Sequence, residues 1–380
     1  PYRAGISITG VRGELKGRAS SVRVAVLGEL DGLICPQHPY ADPNTGAAHA
    51  CGHNAQIAAM LGLAMALVET GLLSELNGDV VFMAVPAEEA IEAEYERKLL
   101  EEGKIKFATG KQDFIALGEF DDIDLALMFH SGGDEKKVKV GGTHNGNIKK
   151  FVQYRGREAH AGGKPHEGIN ALNAALMGLL GIHAQRETFR DEDYIRIHPI
   201  IIKGGDAVNI VPSDVRIDMQ VRGASFQAIL DASRKVDRAL EAGAMAIGAE
   251  VEITNSPGYM PRVDCPPLSN LFRDNAVALL GEDAVGETGH RPSSTDAGDL
   301  SQLIPTIHPY VNGAEGSSHS SELTFVDEDL AYVMPAKLLG MTLIDLLCEG
   351  AKKALACKAS YKPAFTKDSY LAAWEELVAK

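Results

Sequence analysis

Three short apolar runs, "SVRVAVLGEL" (21–30), "GDVVFMAVPAEE" (78–89) and "DIDLALMFH" (122–130), each close on ionisable side chains. Runs this short, with little alternation, read as strands buried on both faces. Residues 55 to 72, between the first two, have helical spacing. Buried strands alternating with helices imply an α/β fold with a mainly parallel sheet covered on both sides. In such sheets ligands collect beyond the carboxyl ends of the strands. Those ends hold Glu29, Leu30 and Asp31, then Glu88 and Glu89, then His130, so chemistry is expected there.

A chain of 380 residues exceeds what one hydrophobic core usually holds, and two domains are expected. The pattern changes near residue 145. "IKKFVQYRG" alternates like a half-exposed strand, and "GINALNAALMGLLGIHAQ" follows as a helix. "YIRIHPIIIKGG" and "DVRIDMQVRG" are two further strands separated by "DAVNIVPS"; a helix spans about 225 to 247, and "AEVEITNSP" closes the block. The order β-α-β-β-α-β is that of a ferredoxin-like α+β insert. After Pro261 the α/β pattern returns through "IPTIHPYV" and a helix around 335 to 349. The expected division is residues 1–145 with 261–380 as one domain, interrupted by 146–260. The opening "PYRAGISITG" reads as strand material, so an amino-terminal segment is expected to be missing ahead of it.

The net charge of −15 argues against nucleic acid, whose binding needs clustered Lys and Arg. The longest apolar stretches fall well short of the roughly 20 residues of a membrane span, and no membrane partner is expected. Five cysteines are odd in number and show no paired framework, which fits a reduced compartment and a cytoplasmic location.

Ligand-type residues concentrate at the strand ends. "HACGHN" (49–54) holds His49, Cys51 and His53, and on a turn at a helix start Cys51 and His53 can face one ion. Adjacent strand-end residues point to opposite sides, so one of Glu88 and Glu89 can bind metal while the other holds a water. His319 lies in "GAEGSSHSSE", a Gly/Ser loop with no apolar reason to hold an imidazole. Each residue alone reads as structural; four such clusters together point to a metal site. Asp31 either orients a ligand imidazole or caps the next turn. His160, in "EAHAGG", sits between a strand and a helix; Asn209 and Arg222 lie on the following strand pair. Arg222 suits a substrate carboxylate, which a guanidinium grips with two hydrogen bonds. His49 reads either as a support behind the ligands or as structural, while His166, His183, His198 and His308 read as structural. Two other readings stay open. One is a cysteine hydrolase with Cys51 as nucleophile, which leaves Glu88, Glu89, His130 and His319 unexplained. The other is a non-catalytic binding protein on the same fold, against which the full ligand set counts.

"HACGHN", "PAEE", the strand-end His130 and "SSHSSE" resemble the amidohydrolase branch of the aminoacylase–carboxypeptidase metallopeptidases. "GELDGL", "AHAGGKPHEGINALNA", "NIVPSDVRIDMQVR" and "SSTDAGDLSQLIPTIHP" extend the likeness over nearly the whole chain. Asn54 stands where many members carry Asp; with "STDAGD" it resembles the aminobenzoyl-glutamate hydrolase and dipeptidase side. The resemblance implies a co-catalytic site for two divalent ions, Zn, Mn or Co, held by Cys51, His53, Glu89, His130 and His319. Glu88 is then the general base for amide hydrolysis of an N-acyl amino acid or a small dipeptide. It further implies a homodimer through the insert, a lid domain whose His160 and Asn209 reach the partner subunit's site and polarise the scissile carbonyl. The chemistry is consistent: two divalent ions lower the pKa of a clamped water while a neighbouring carboxylate takes its proton, and a thiolate ligand favours Zn²⁺.

Overall fold

The computed structural model of the chain describes residues 1–89, 92–132 and 135–379. In chain order the main elements are β1 (Tyr2–Ile6), β2 (Gly10–Leu15), β3 (Arg23–Glu29), α1 (His53–Glu69), β4 (Asp79–Val85), α2 (Gly110–Leu117) and β5 (Leu125–Leu127). Then follow β6 (Gly146–Arg155), α3 (Ala171–Ala184), β7 (Arg196–Lys203), β8 (Asp214–Gly223), α4 (Phe226–Ile247) and β9 (Glu250–Tyr259). The last are α5 (Pro266–Leu280), β10 (Thr306–Ile307) and α6 (Met334–Leu347). Two units emerge: residues 1–143, 262–290 and 296–367 form the first, and 144–261, 291–295 and 368–380 the second. Two segments distant in sequence, 291–295 and 368–380, thus join the inserted block rather than the flanking one.

The first unit carries a six-stranded sheet in the order β1-β2-β4-β3-β5-β10. The sheet is mixed. β3 runs parallel to β4 and β5, and β5 parallel to β10, while β1 and β2 form an antiparallel hairpin added to the β4 edge. Every residue of β4, and all of β3 except Arg23, is buried, which is why neither strand alternates. β4 lies on one side of β3 and β5 on the other. In parallel sheets ligands collect beyond the carboxyl ends of such neighbouring strands.

Helix α1 presents Ala55, Ala59, Leu63 and Leu67 at four-residue intervals to the core. Leu338, Leu339, Leu343, Leu346 and Leu347 of α6 fill the same core. The helical stretch Asp329–Leu347, 19 residues with mean hydropathy 1.5, is the one helix among the described residues long and apolar enough to cross a membrane by length and composition. This corrects the expectation that no stretch approaches that length. The apolar content is explained by the α6 face buried in this core.

The run "DIDLALMFH" is not one strand. β5 ends at Leu127, and His130–Ser131 pairs with Tyr310–Val311 in a separate four-stranded sheet. Parallel contacts continue across the break, with the His130 amide donating to the Pro309 carbonyl (2.9 Å) and Gly132 to Val311 (3.0 Å). His130 is therefore delivered by the paired segment that follows the strand end.

The second unit is a four-stranded antiparallel sheet, β7-β8-β6-β9, with α3 and α4 between its strands in sequence. β6 and β8 alternate buried and accessible residues, as a sheet packed on one face should. The two helices cross closely at Gly178 and Gly243, where a Cβ on Gly243 would lie 2.5 Å from the Gly178 amide nitrogen. Buried Lys150 donates to Asp237 (2.6 Å) and Asn255 (2.7 Å), and Tyr154 donates to the Leu240 carbonyl (2.9 Å). The carboxyl-terminal residues dock here through Trp374, whose ring meets Phe226 edge-on at 5.4 Å. Asn209 does not lie on the strand pair expected from sequence: it falls in the loop between β7 and β8, and only Arg222 is on a strand. The loop leaves the ladder because Ile210 forms an isolated bridge with His160 instead.

Leu343→Ala should destabilise the first unit by about 2–5 kcal/mol, the usual cost of truncating a fully buried leucine. Denaturant unfolding followed by far-UV circular dichroism will read it, and an unchanged midpoint would remove α6 from the core described above.

Candidate metal centre

Parallel register puts the carboxyl ends of β3 and β4 side by side, with Glu29 opposite Val85. Asp31 follows β3 by two residues, and Glu88 and Glu89 follow β4. The turn between Val85 and Glu88 is tight, since Ala87 adopts a left-handed φ of 56°. Helix α1 starts at His53, and Gly52 before it has φ 87°, a conformation that suits glycine. A Cβ there would also meet Ser131 Cβ at 2.8 Å. His319 has φ 64°, and its amide donates to the Ala50 carbonyl (2.8 Å), tying the Gly/Ser loop to the "HACGHN" turn.

Two of the groups of donor atoms that lie within 4.8 Å of one another have Cys51 in common: Cys51, His53 and His130, and Cys51, Glu89 and His319. Cys51 belongs to both. Its Sγ is 3.4 Å from His130 Nε2, and His319 Nε2 is 3.0 Å from Glu89 Oε1. His53 Nδ1 donates to Asp31, 3.1 Å from the carboxylate and 3.0 Å from the carbonyl, so only Nε2 remains to face an ion. His130 Nδ1 likewise donates to the Ser131 carbonyl at 2.8 Å, turning Nε2 toward Cys51. Asp31 also accepts the Glu89 amide (2.9 Å), bracing two segments at once. Both imidazoles thus have their outward nitrogen occupied, as metal-binding histidines usually do. A soft sulfur shared by two sets of nitrogen and oxygen donors suits a pair of divalent ions such as Zn²⁺.

The electrostatics divide the carboxylates. Burial, reinforced by the Glu29 and Asp296 charges, pushes Glu88 well above the ordinary carboxyl range. Burial acts the same way on Glu29, but Lys111 and then His53 outweigh it and hold that group at about 2. Burial pulls His53 down, yet the Glu29 and Asp31 carboxylates win and hold it well above its usual value. Burial pushes the Cys51 thiol up to about 12. Without a cation beside it the sulfur stays protonated, which disfavours it as a free nucleophile.

The structure adds groups that the sequence did not single out. Lys111, fully buried on α2, donates to Glu29 and to Asp296, each at 2.5 Å. Gln56 donates to Glu29 at 2.8 Å, and His308, read from the sequence as structural, stacks on His130 at 5.7 Å. The available signals were the carboxylate two residues before Asp31 and the Asp of "STDAGD". Asn54, beside His53, donates to the Tyr332 hydroxyl at 3.3 Å. The remaining candidates belong to the second unit. His160 is exposed, and its Nδ1 accepts the Gly162 (3.2 Å) and Gly163 (3.0 Å) amides. Asn209 is brought beside it, its carbonyl accepting the Ala161 amide at 2.9 Å. Arg222 donates to Ser294 Oγ (2.9 Å) and to Gln220.

Beyond the strand ends of this mixed sheet, turns and loops bring together a thiol, three imidazoles and paired carboxylates, the donor set of a metal-dependent hydrolase. Residues 25–336 match the model of peptidase family M20/M25/M40, and the chain belongs to that family. The chain is 29% identical over 359 residues to the Xaa-Arg dipeptidase of Mus musculus, covering 89% of this chain and 74% of that protein. It is 30% identical over 267 residues to one of the subunits of the p-aminobenzoyl-glutamate hydrolase of Escherichia coli, covering 69% of this chain and 56% of that subunit. Among solved structures, a dinuclear metal-binding peptidase of the M20 family from Bacillus subtilis superposes with a TM-score of 0.68 at 21% identity, covering 89% of this chain and 85% of that one.

Gly52→Ala should weaken Zn²⁺ binding about tenfold or more, because the added methyl must displace Ser131 or rotate Cys51 away from His53. Equilibrium dialysis with the folded variant measures this, and undiminished affinity would show that the turn does not set the pair.

Proposed function

We propose that the chain hydrolyses the amide bond of an N-acyl amino acid or small dipeptide, with Cys51, His53, Glu89, His130 and His319 holding two divalent ions and Glu88 as general base. The observation that carries this reading is the pair of donor groups sharing Cys51, with Glu88 Oε2 only 4.0 Å from His53 Nε2. When bound, the ions supply Lewis acidity and lower the pKa of water. Glu88 takes a proton from the water that attacks the acyl carbon and returns it to the amine nitrogen as the C–N bond breaks. Its buried setting favours the protonated form between those two steps. The substrate class rests on the dipeptidase and aminobenzoyl-glutamate hydrolase relatives, whose names state such substrates.

In this reading His160 donates to the developing oxyanion. Its Nδ1 is occupied as an acceptor, so in the neutral ring the proton sits on Nε2. Asn209 supports it and Arg222 grips the substrate carboxylate. A homodimer through the second unit belongs to the same proposal. Edge strand β7 exposes Ile200 and Ile202, and α3 exposes Leu176, Met177 and Leu180, apolar surface that a two-fold partner would cover.

Glu88→Gln should retain two ions by metal analysis yet lose roughly a hundred- to ten-thousand-fold in turnover on N-acyl amino acids, aminobenzoyl-glutamate and dipeptides. Glu89→Gln should lose metal as well. Metal loss from the first with activity kept in the second would reverse the assignment. His160→Ala should lower kcat by about a hundred-fold with metal content unchanged. Verified heterodimers of His160→Ala with Glu88→Gln chains should regain part of the activity, since one hybrid site has both groups intact; no recovery would exclude action across the dimer.

A further inference from the structure

We infer that Glu29 is a further metal-facing carboxylate, directed at the ion position beside His53 and fixed there by Lys111. The inference rests on the two-ion reading above and adds a residue to it. Glu29 is 1% exposed, and each of its oxygens is committed differently. Oε1 accepts from Lys111 Nζ at 2.5 Å. Oε2 accepts from Gln56 Nε2 at 2.8 Å, and the Glu29 amide donates to Gln56 Oε1 at 2.9 Å, so one glutamine clamps both side chain and backbone. The second lone pair of Oε2 is left, and Oε2 lies 3.0 Å from His53 Nε2.

That contact has an unusual form. Nε2 is fully buried and has no hydrogen-bond partner, although the carboxylate oxygen is within contact distance. The two atoms are adjacent without being aligned as donor and acceptor. Two ligands of one ion have this relation, because their lone pairs converge on a shared point. The spacing agrees. A tetrahedral ion with bonds of about 2.0–2.1 Å needs donor separations of about 3.3 Å, and the 3.0 Å from His53 to Glu29 is close to that length. Glu29, His53 and Glu88 place donor atoms within 4.8 Å of one another, a third group linked through His53 to the one containing Cys51 and His130.

Lys111 gives the arrangement its direction. It is fully buried and also bound to Asp296 at 2.5 Å. A buried ion pair of this kind often contributes less stability than apolar side chains of the same size. Holding Oε1 leaves Glu29 one oxygen to offer, which makes it a single-point ligand. The consequence is asymmetry. The His53 position then has an added carboxylate, whereas the position of Glu89 and His319 has none, so the His53 position fills first.

Titration of metal-free protein with Co²⁺, followed by visible absorption and by equilibrium dialysis, tests this without turnover. Wild-type protein should bind in two steps. Glu29→Gln should weaken the tighter step about tenfold or more, leave the weaker step in place, and change the visible ligand-field band. A residue that only orients His53 would alter affinity but leave the band as it was, and that result would overturn the inference. So would two unchanged steps. Glu29→Asp withdraws the carboxylate by one methylene while keeping its charge beside Lys111; it should show the same band change and decides the matter if the Gln variant does not fold. A wild-type chain that takes up no ion overturns both this inference and the two-ion reading, whereas two ions held equally by the variants overturn this one alone.

Discussion

Asp31 ties together segments that sequence separation keeps apart. One carboxylate oxygen and the backbone carbonyl receive the His53 ring, and the other oxygen receives the Glu89 amide. The start of α1 and the turn after β4 are thereby locked to the end of β3. Without that lock the imidazole could present either nitrogen, and the Glu88–Glu89 turn, with Ala87 in a left-handed conformation, would lose an anchor. The parallel register brings the strand ends together, and Asp31 turns their proximity into a fixed orientation.

Crowding buried carboxylates together is costly, and the structure meets that cost unevenly. Glu29 and Glu88 are the same side chain a few ångströms apart, yet one is held strongly ionised by Lys111 and the other is driven toward protonation by burial and by its neighbours' charge. Environments that pull like groups apart are how acid–base roles get divided in an active site. Cations added at the Cys51 groups would relieve the same repulsion, so the ligand set is poised for positive charge before any arrives.

Much of this was legible in sequence because it follows from periodicity. β3 and β4 are buried on both faces and therefore do not alternate, while β6 and β8 are half-exposed and do. The Gly/Ser loop around His319 stood out because nothing apolar explained an imidazole there. Other features depend on tertiary context. The break after Leu127 leaves no mark in "DLALMFH", since both halves are equally apolar. Asn209 was misplaced because a bridge between His160 and Ile210, fifty residues apart, draws its loop off the ladder. Lys111 was invisible: a lone lysine in "ATGKQDFIAL" reads as a solvated helix residue, and only its distant partners Glu29 and Asp296 explain its burial.

The docking of residues 368–380 on the second unit has a spectroscopic consequence. Trp374 is the only tryptophan of the chain, and it is buried against Phe226 with Tyr370 nearby. Indole emission from this protein therefore reports the surroundings of the inserted unit alone. The unit that carries the candidate ligands holds no tryptophan, so indole emission follows the unfolding of the inserted unit without a contribution from the ligand-bearing sheet.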